Sequence, residues 1–246
     1  MNTAFNKQRG FTLVEIAIVL VIIGLLLGGI LKGQELITSA RVRNIADQNS
    51  GVQAAYYGFI DRYRQVPGDM TGSGANSVCN VVSANAAGCS GGTTTIAGDA
   101  NGQLKPNDWG EGSALWAHLS AANFIQGAYV GGATDATSYS QDNVAPKNAF
   151  NGYIMLTQSA DYVGGTPTTR LLMVVGHLIP ANVMSELDRK IDDGLPLTGV
   201  LRATPNSGNA LGSVSTISAN CTTTSGTTTI WDINTNDQDC GGAYLY

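Results

Sequence analysis

The chain has 246 residues, 43% of them apolar and 13% charged, with a net charge of −5, four cysteines and two histidines. That length holds one domain or two small ones, and a mildly acidic chain whose Arg41, Arg43, Arg62 and Arg64 lie along one helical stretch has no concentrated basic patch for gripping nucleic acid. Two histidines and no C-x-x-C leave zinc few ligands, and no G-x-S-x-G, P-loop or H-E-x-x-H spacing is present, so neither an enzyme nor a nucleic-acid partner is expected.

Residues 11–31 form an apolar run broken by a single acid, Glu15. About 20 apolar residues rising 1.5 Å each span a hydrocarbon core of about 30 Å, so the run predicts a transmembrane helix. A secretory signal has an apolar core of about 7 to 15 residues followed by a small-residue cleavage site; this run is longer and carries an acid. A plain anchor explains the length but not Glu15, since an ionisable group in hydrocarbon costs a few kcal/mol. Beyond it Leu36, Ala40, Val42, Ile45, Ala46, Val52, Ala55, Tyr56, Phe59, Ile60 and Tyr63 recur mostly three and four apart, with no proline before Pro67. The pattern predicts one helix over 11–64, about 80 Å long, apolar all round in its first half and amphipathic in its second.

The residues at its start carry a resemblance. Gly10-Phe11-Thr12-Leu13-Val14-Glu15, after a short leader with Lys7 and Arg9, resembles the class III signal of type IV pilins and type II secretion pseudopilins. The resemblance covers the N-terminal segment only. It implies a leader, 1–10, removed by a prepilin peptidase between Gly10 and Phe11, methylation of the new Phe11 amine, and storage in the inner membrane. Inner-membrane assembly machinery would then build the subunit, with like or related pilins, into a periplasmic or extracellular filament. Many major pilins have a proline along this helix; here Gly24, Gly28, Gly29 and Gly33 stand instead. Each weakens a helix by about 1 kcal/mol relative to alanine, which suits local melting around Gly28 and Gly29 during assembly. Glu15 then acquires a role: a buried carboxylate is unfavourable alone and tolerated beside a cation, so it is expected to pair with the Phe11 amine of an adjacent subunit and set the register. The competing role is intrahelical, at the positive end of its own helix.

The helix should stop near Arg64, because Val66-Pro67-Gly68-Asp69 is a turn and the residue before proline is pushed out of helical geometry. Residues 71–108 read as a long loop holding Cys79 and Cys89. A short helix follows at 111–123, with Leu115, Leu119 and Ala122 on one side and Trp116 near it. Strands are predicted at 150–158 and 170–178 around the turn Gly164-Gly165-Thr166-Pro167. A helix at 182–192 is capped by Asn182, presents Val183, Leu187 and Ile191, and is closed by Gly194. Strands at 197–202 and 227–233 complete the reading. The class is α+β: residues 65–246 form a domain whose small antiparallel sheet packs on the amphipathic half of the long helix, and a pilin-like roll is also what the resemblance implies. Trp116-Ala117-His118-Leu119 and the segment 192–199 are similar to stretches of pilin-like proteins of this size.

Four cysteines allow three pairings, and closure entropy favours the local ones: Cys79 with Cys89 and Cys221 with Cys240, which implies an oxidising compartment. The second resembles the disulfide-bounded C-terminal loop of many type IV pilins. Calcium is the one cation the sequence suggests. Asp232, Asn234, Asn236 and Asp237 place oxygen side chains closely along one loop, and residues 98–103 begin like a calcium loop, although neither has the twelfth-position glutamate of an EF-hand and such clusters also form ordinary turns. His118 and His177 read as hydrogen-bonded structural histidines. Three functions therefore stand: a type IV pilin subunit, a type II secretion pseudopilin, and a membrane-tethered, calcium-dependent binding module that does not polymerise.

Overall fold

The computed structural model describes residues 12–70 and 98–246; the expectations for Gly10, Phe11, Cys79 and Cys89 lie outside them. The chain divides into two compact units, Met1–Arg41 and Val42–Tyr246. Helix α1 runs without a break over Leu13–Tyr63. The glycines predicted to weaken it continue the helix, and a Cβ built at Gly24, Gly28, Gly29 or Gly33 would meet nothing within 4 Å. In the first unit all the side chains from Thr12 to Lys32 are exposed.

In the second unit α1 buries Val42, Ile45, Val52, Ala55, Tyr56 and Phe59, with Ala46, Ile60 and Tyr63 half-buried against the same core. Leu36, assigned to that stripe by its spacing, is 62% exposed; the buried face begins at Val42. Arg64 ends the helix in the left-handed region, φ 55°, a common way to terminate a helix.

Helix α2, Trp109–Ala121, starts two residues before the predicted position because Asp108 caps it, its carboxylate accepting the Glu111 N–H at 2.9 Å. A single turn, α3, spans Ala136–Tyr139 behind a capping box of Asp135 and Ser138. Helix α4 is Ala181–Ile191. Its N-cap is Pro180, which makes no side-chain cap bond, so Asn182 is not the cap; it lies exposed in the first turn. The chain enters α4 from Ile179, held extended by reciprocal backbone bonds to Cys240, which places the cap ahead of Asn182.

The main sheet has strand order β1-β2-β6-β3, antiparallel throughout: β1 is Met155–Ser159, β2 Arg170–Val174, β3 Leu201–Ala203 and β6 Gly242–Leu245. The sequence placed β1 too early, because Asn148 holds the chain in a turn: its Oδ1 accepts the Phe150 and Gly152 N–H groups, and Asn151 sits at φ 70°. Strand β2 stops at Val174, short of the predicted 178, since Gly176 (φ 79°) and Leu178 (φ 67°) leave extended geometry. Strands β4 (Thr222–Ser225) and β5 (Thr228–Trp231) form a hairpin closed by Gly226-Thr227, with Gly226 at φ 65°, the sign a two-residue hairpin turn requires there.

The architecture is α+β, with one core. Phe59 packs against Phe124, ring centroids 5.9 Å apart, and joins Trp116, Leu119, Ile154, Met173 and Leu245. Within the core the Trp116 indole N–H donates to the Tyr139 hydroxyl at 2.7 Å, and that hydroxyl donates to the Ile154 carbonyl at 2.9 Å.

Candidate functional site

The N-terminal segment is built from the first turn upward. The Thr12 backbone N–H and its Oγ1 both donate to Glu15 Oε2 at 2.8 Å, and the Glu15 N–H donates back to Thr12 Oγ1 at 3.2 Å. This is a reciprocal capping box, so the acid assigned to an intermolecular pair already has partners within its own chain. No charge follows until Lys32, which pairs with Glu35 at 2.7 Å. Between them the helix is apolar on every side. Among the described residues it is the one helix long and apolar enough to cross a membrane, and its apolar stretch is not buried. Apolar side chains left exposed on every side over so long a run seek hydrocarbon or other apolar helices.

In the second unit Cys221 is joined to Cys240, Cα atoms 5.5 Å apart and both residues buried. The bond ties the start of the β4–β5 hairpin to the residue that pairs with Ile179 ahead of β6. Between these cysteines lie Asp232, Asn234, Asn236 and Asp237. Asp232 Oδ1 accepts the Asn234 N–H at 3.1 Å, and Asp237 accepts the Asp239 N–H at 3.1 Å and the Ser218 hydroxyl. The Ser218 bond, with the Asp239 N–H and Asn220 behind it, holds the Asp237 carboxyl below its ordinary range. These bonds are those of turns.

Among the described residues, acidic or thiol ligand atoms come within 4.8 Å of one another in three groups: Cys221, Asp237 and Cys240; Asp69, Asp99 and Glu111; and Asp188, Asp192 and Asp193. Asp232 belongs to none of them, and in the first the sulfurs are already bonded to each other. The second enlarges the 98–103 loop. Asp69 is buried and accepts the Ala100 and Gly102 N–H groups at 2.7 Å each, while Glu111 accepts the Lys105 N–H at 2.5 Å. Burial raises the Glu111 pKa, and Asp69, Asp108 and Asp99 add to the rise. Sequence reading missed Asp69 and Glu111; the signal was the acid directly after Pro67-Gly68, which the loop folds back to meet.

Both histidines serve structure. His118 is fully buried, and its Nδ1 accepts the Gly68 N–H at 3.0 Å. Burial lowers its pKa to about 4, so the ring is neutral at physiological pH. His177 Nδ1 lies 2.6 Å from Asp239 Oδ1, beside the disulfide.

Compared with known proteins, residues 5–31 match the family described as the prokaryotic N-terminal methylation motif. The match lies within the first unit and runs from Phe5 to the end of the apolar run at Leu31. No curated protein and no solved structure matches the chain.

Proposed function

Because residues 5–31 carry the signature of type IV pilins and pseudopilins, we propose that this chain is a prepilin-like structural subunit. A prepilin peptidase cuts it between Gly10 and Phe11, the Phe11 amine is methylated, and the subunit waits in the inner membrane through residues 11–31. Inner-membrane machinery then packs the apolar helices of successive subunits into a filament, with Val42–Tyr246 supplying the folded domain. The observation that carries this reading is the continuity of the motif with a helix whose side chains from Thr12 to Lys32 are all exposed. Lipid is nearly as apolar as those side chains, so packing and specific polar contacts select the assembled state.

Glu15 supplies the polar contact. In the single chain its carboxylate caps the helix through Thr12; in the filament the Phe11 ammonium of a neighbour, offset by about one turn, replaces a neutral partner with a charge, and the pairing offsets the cost of burial. Glu15→Gln keeps an acceptor for the cap and removes the charge. The variant should remain in the membrane and yield few filaments in sheared surface material viewed by electron microscopy. Filaments at the normal yield would refute the pairing. A protein that stays unprocessed and monomeric would favour the membrane-tethered binding module instead.

A further inference from the structure

Asp188, near the end of α4, is completely buried. Its Oδ2 accepts the indole N–H of Trp231, the last residue of β5, at 2.6 Å, while its Oδ1 is shut from solvent and has no donor. One turn on, Asp192 meets it, and carboxyl oxygens of Asp188, Asp192 and Asp193 lie within 4.8 Å of one another. The donors around Asp192 and Asp193 are committed elsewhere. Asp192 Oδ1 takes the Asp193 N–H at 2.8 Å, and Oδ2 takes the N–H groups of Val200 and of Leu201, the latter at 3.1 Å. Asp193 takes the Leu195 N–H at 2.9 Å and the Thr198 hydroxyl.

The groups acting on Asp188 from the packed elements are few. From β5 there is the neutral Trp231 donor, from β6 the buried Tyr244 hydroxyl, and from the following turn Asp192 and Asp193. On α4 itself Lys190 pairs with Glu186 at 3.7 Å, and Arg189 lies exposed beside Gly194. Two carboxyl groups in contact need either a cation or a proton between them. A calcium ion needs six to eight oxygen ligands and room for them, and Asp188 Oδ1 faces no solvent-sized space. A proton needs none.

We propose that Asp188 and Asp192 share one proton at neutral pH, forming a carboxyl–carboxylate latch. Through Trp231 it ties α4 to the disulfide-bounded hairpin, through Asp192 it ties α4 to the 193–200 turn, and alkali releases it. Burial and the contact with Asp192 push Asp188 up to about 8, whereas the N–H and carboxyl hydrogen bonds hold Asp192 below its ordinary value despite burial. The pair therefore titrates jointly, and the first proton leaves only in mild alkali. Asp192, only partly buried, is then the member that moves toward solvent, loosening its bonds to the Val200 and Leu201 N–H groups at the entry to β3.

The folded protein holds a proton that the unfolded chain, with an aspartate near 3.9, has released. The stabilising contribution is complete below about pH 4 and is lost as the pH rises to about 8, by a factor of about ten in the folding constant per pH unit. His118, buried in its neutral form, works in the opposite direction below its ordinary value of about 6.5, so the latch is read above that pH. Asp188→Asn preserves the shape, offers an amide N–H to Asp192 and a carbonyl to Trp231, and does not titrate. Urea unfolding of the full chain in detergent, followed between about pH 6.5 and 8, should show the unmodified protein losing about tenfold per unit relative to Asp188→Asn. Parallel pH profiles would overturn the proposal. Should Asp188→Asn fail to fold, the infrared spectrum of the unmodified protein decides: a protonated-carboxyl band present at neutral pH and lost near pH 8 supports the latch, and its absence at neutral pH overturns it. Calcium that stabilises the unmodified protein but not Asp188→Asn would also overturn it, in favour of a cation between the carboxylates.

Discussion

Replacing Cys221 and Cys240 together with alanine tests how the C-terminal strand is held. The two residues are separated by 19 positions, and the chain-entropy relation for a closed loop of that size gives a stabilisation of about 3 kcal/mol. Small cavities at two fully buried sites add up to about 1 kcal/mol. For a domain of this size each kcal/mol shifts Tm by about 2–4 °C, so the double variant should melt about 6–15 °C lower. The sheet itself should persist: Cys240 exchanges backbone bonds with Ile179 at 2.9 and 3.0 Å, the Asp232 N–H donates to the Cys221 carbonyl at 3.0 Å, and the Ser218 N–H donates to the Asp239 carbonyl at 2.9 Å. The assay is a thermal melt of the oxidised protein and of the double variant, with intact mass confirming the bond in the former. A loss below about 1 kcal/mol would refute the reasoning, because the hairpin would then be confined without the cross-link.

Tyr139→Phe should cost about 2–3 kcal/mol in urea unfolding, since it leaves the Trp116 N–H and the Ile154 carbonyl buried without their shared hydroxyl. Gly164→Ala should cost more than about 1 kcal/mol, because Gly164 sits at φ 94° and a Cβ there would lie 2.0 Å from the Leu197 carbonyl oxygen; an unchanged Tm would show that the turn is not held there. In the Asp188→Asn background the His118 effect is uncovered: its folded pKa of about 4 lies below the unfolded value of about 6.5, so the folded state binds fewer protons and stability should fall by about 1.4 kcal/mol per unit as the pH drops between them. Glu111, raised by burial, acts in the opposite sense over the same range, so the comparison is with a chain that also carries His118→Asn; profiles that do not diverge as the pH falls would contradict the burial argument. Thr12→Val removes the capping hydroxyl and keeps the Glu15 charge; filament yield by electron microscopy should stay near normal where Glu15→Gln lowers it, and equal losses would assign Glu15 to capping alone.

The long helix was legible because its spacing keeps Val42, Ile45, Val52 and Phe59 on one stripe, and an apolar run as long as residues 13–31 has few other fates. Leu36 misled for the same reason: it fits the spacing, and nothing in sequence says where the core begins. Strand β6 was not foreseen, because Gly242–Leu245 is short and lies between β2 and β3, partners distant in sequence. The helix cap was placed at Asn182 from its side chain, whereas the long-range Ile179–Cys240 pairing sets the entry at Pro180. Asp188 and Asp192 carried no signal in the sequence, where the helix was read only by its apolar face; the fold alone brings Trp231 and Tyr244 to them. Glu15 was legible as an anomaly in an apolar run, but its bond to Thr12 required coordinates.

The mass of the natural protein's amino-terminal peptide, recovered from cells, tests the central claim most directly. A chain beginning at N-methyl-Phe11 is the predicted result, since processing after Gly10 creates the cation that Glu15 is proposed to meet. A chain that still begins at Met1, with residues 1–10 attached, would contradict it.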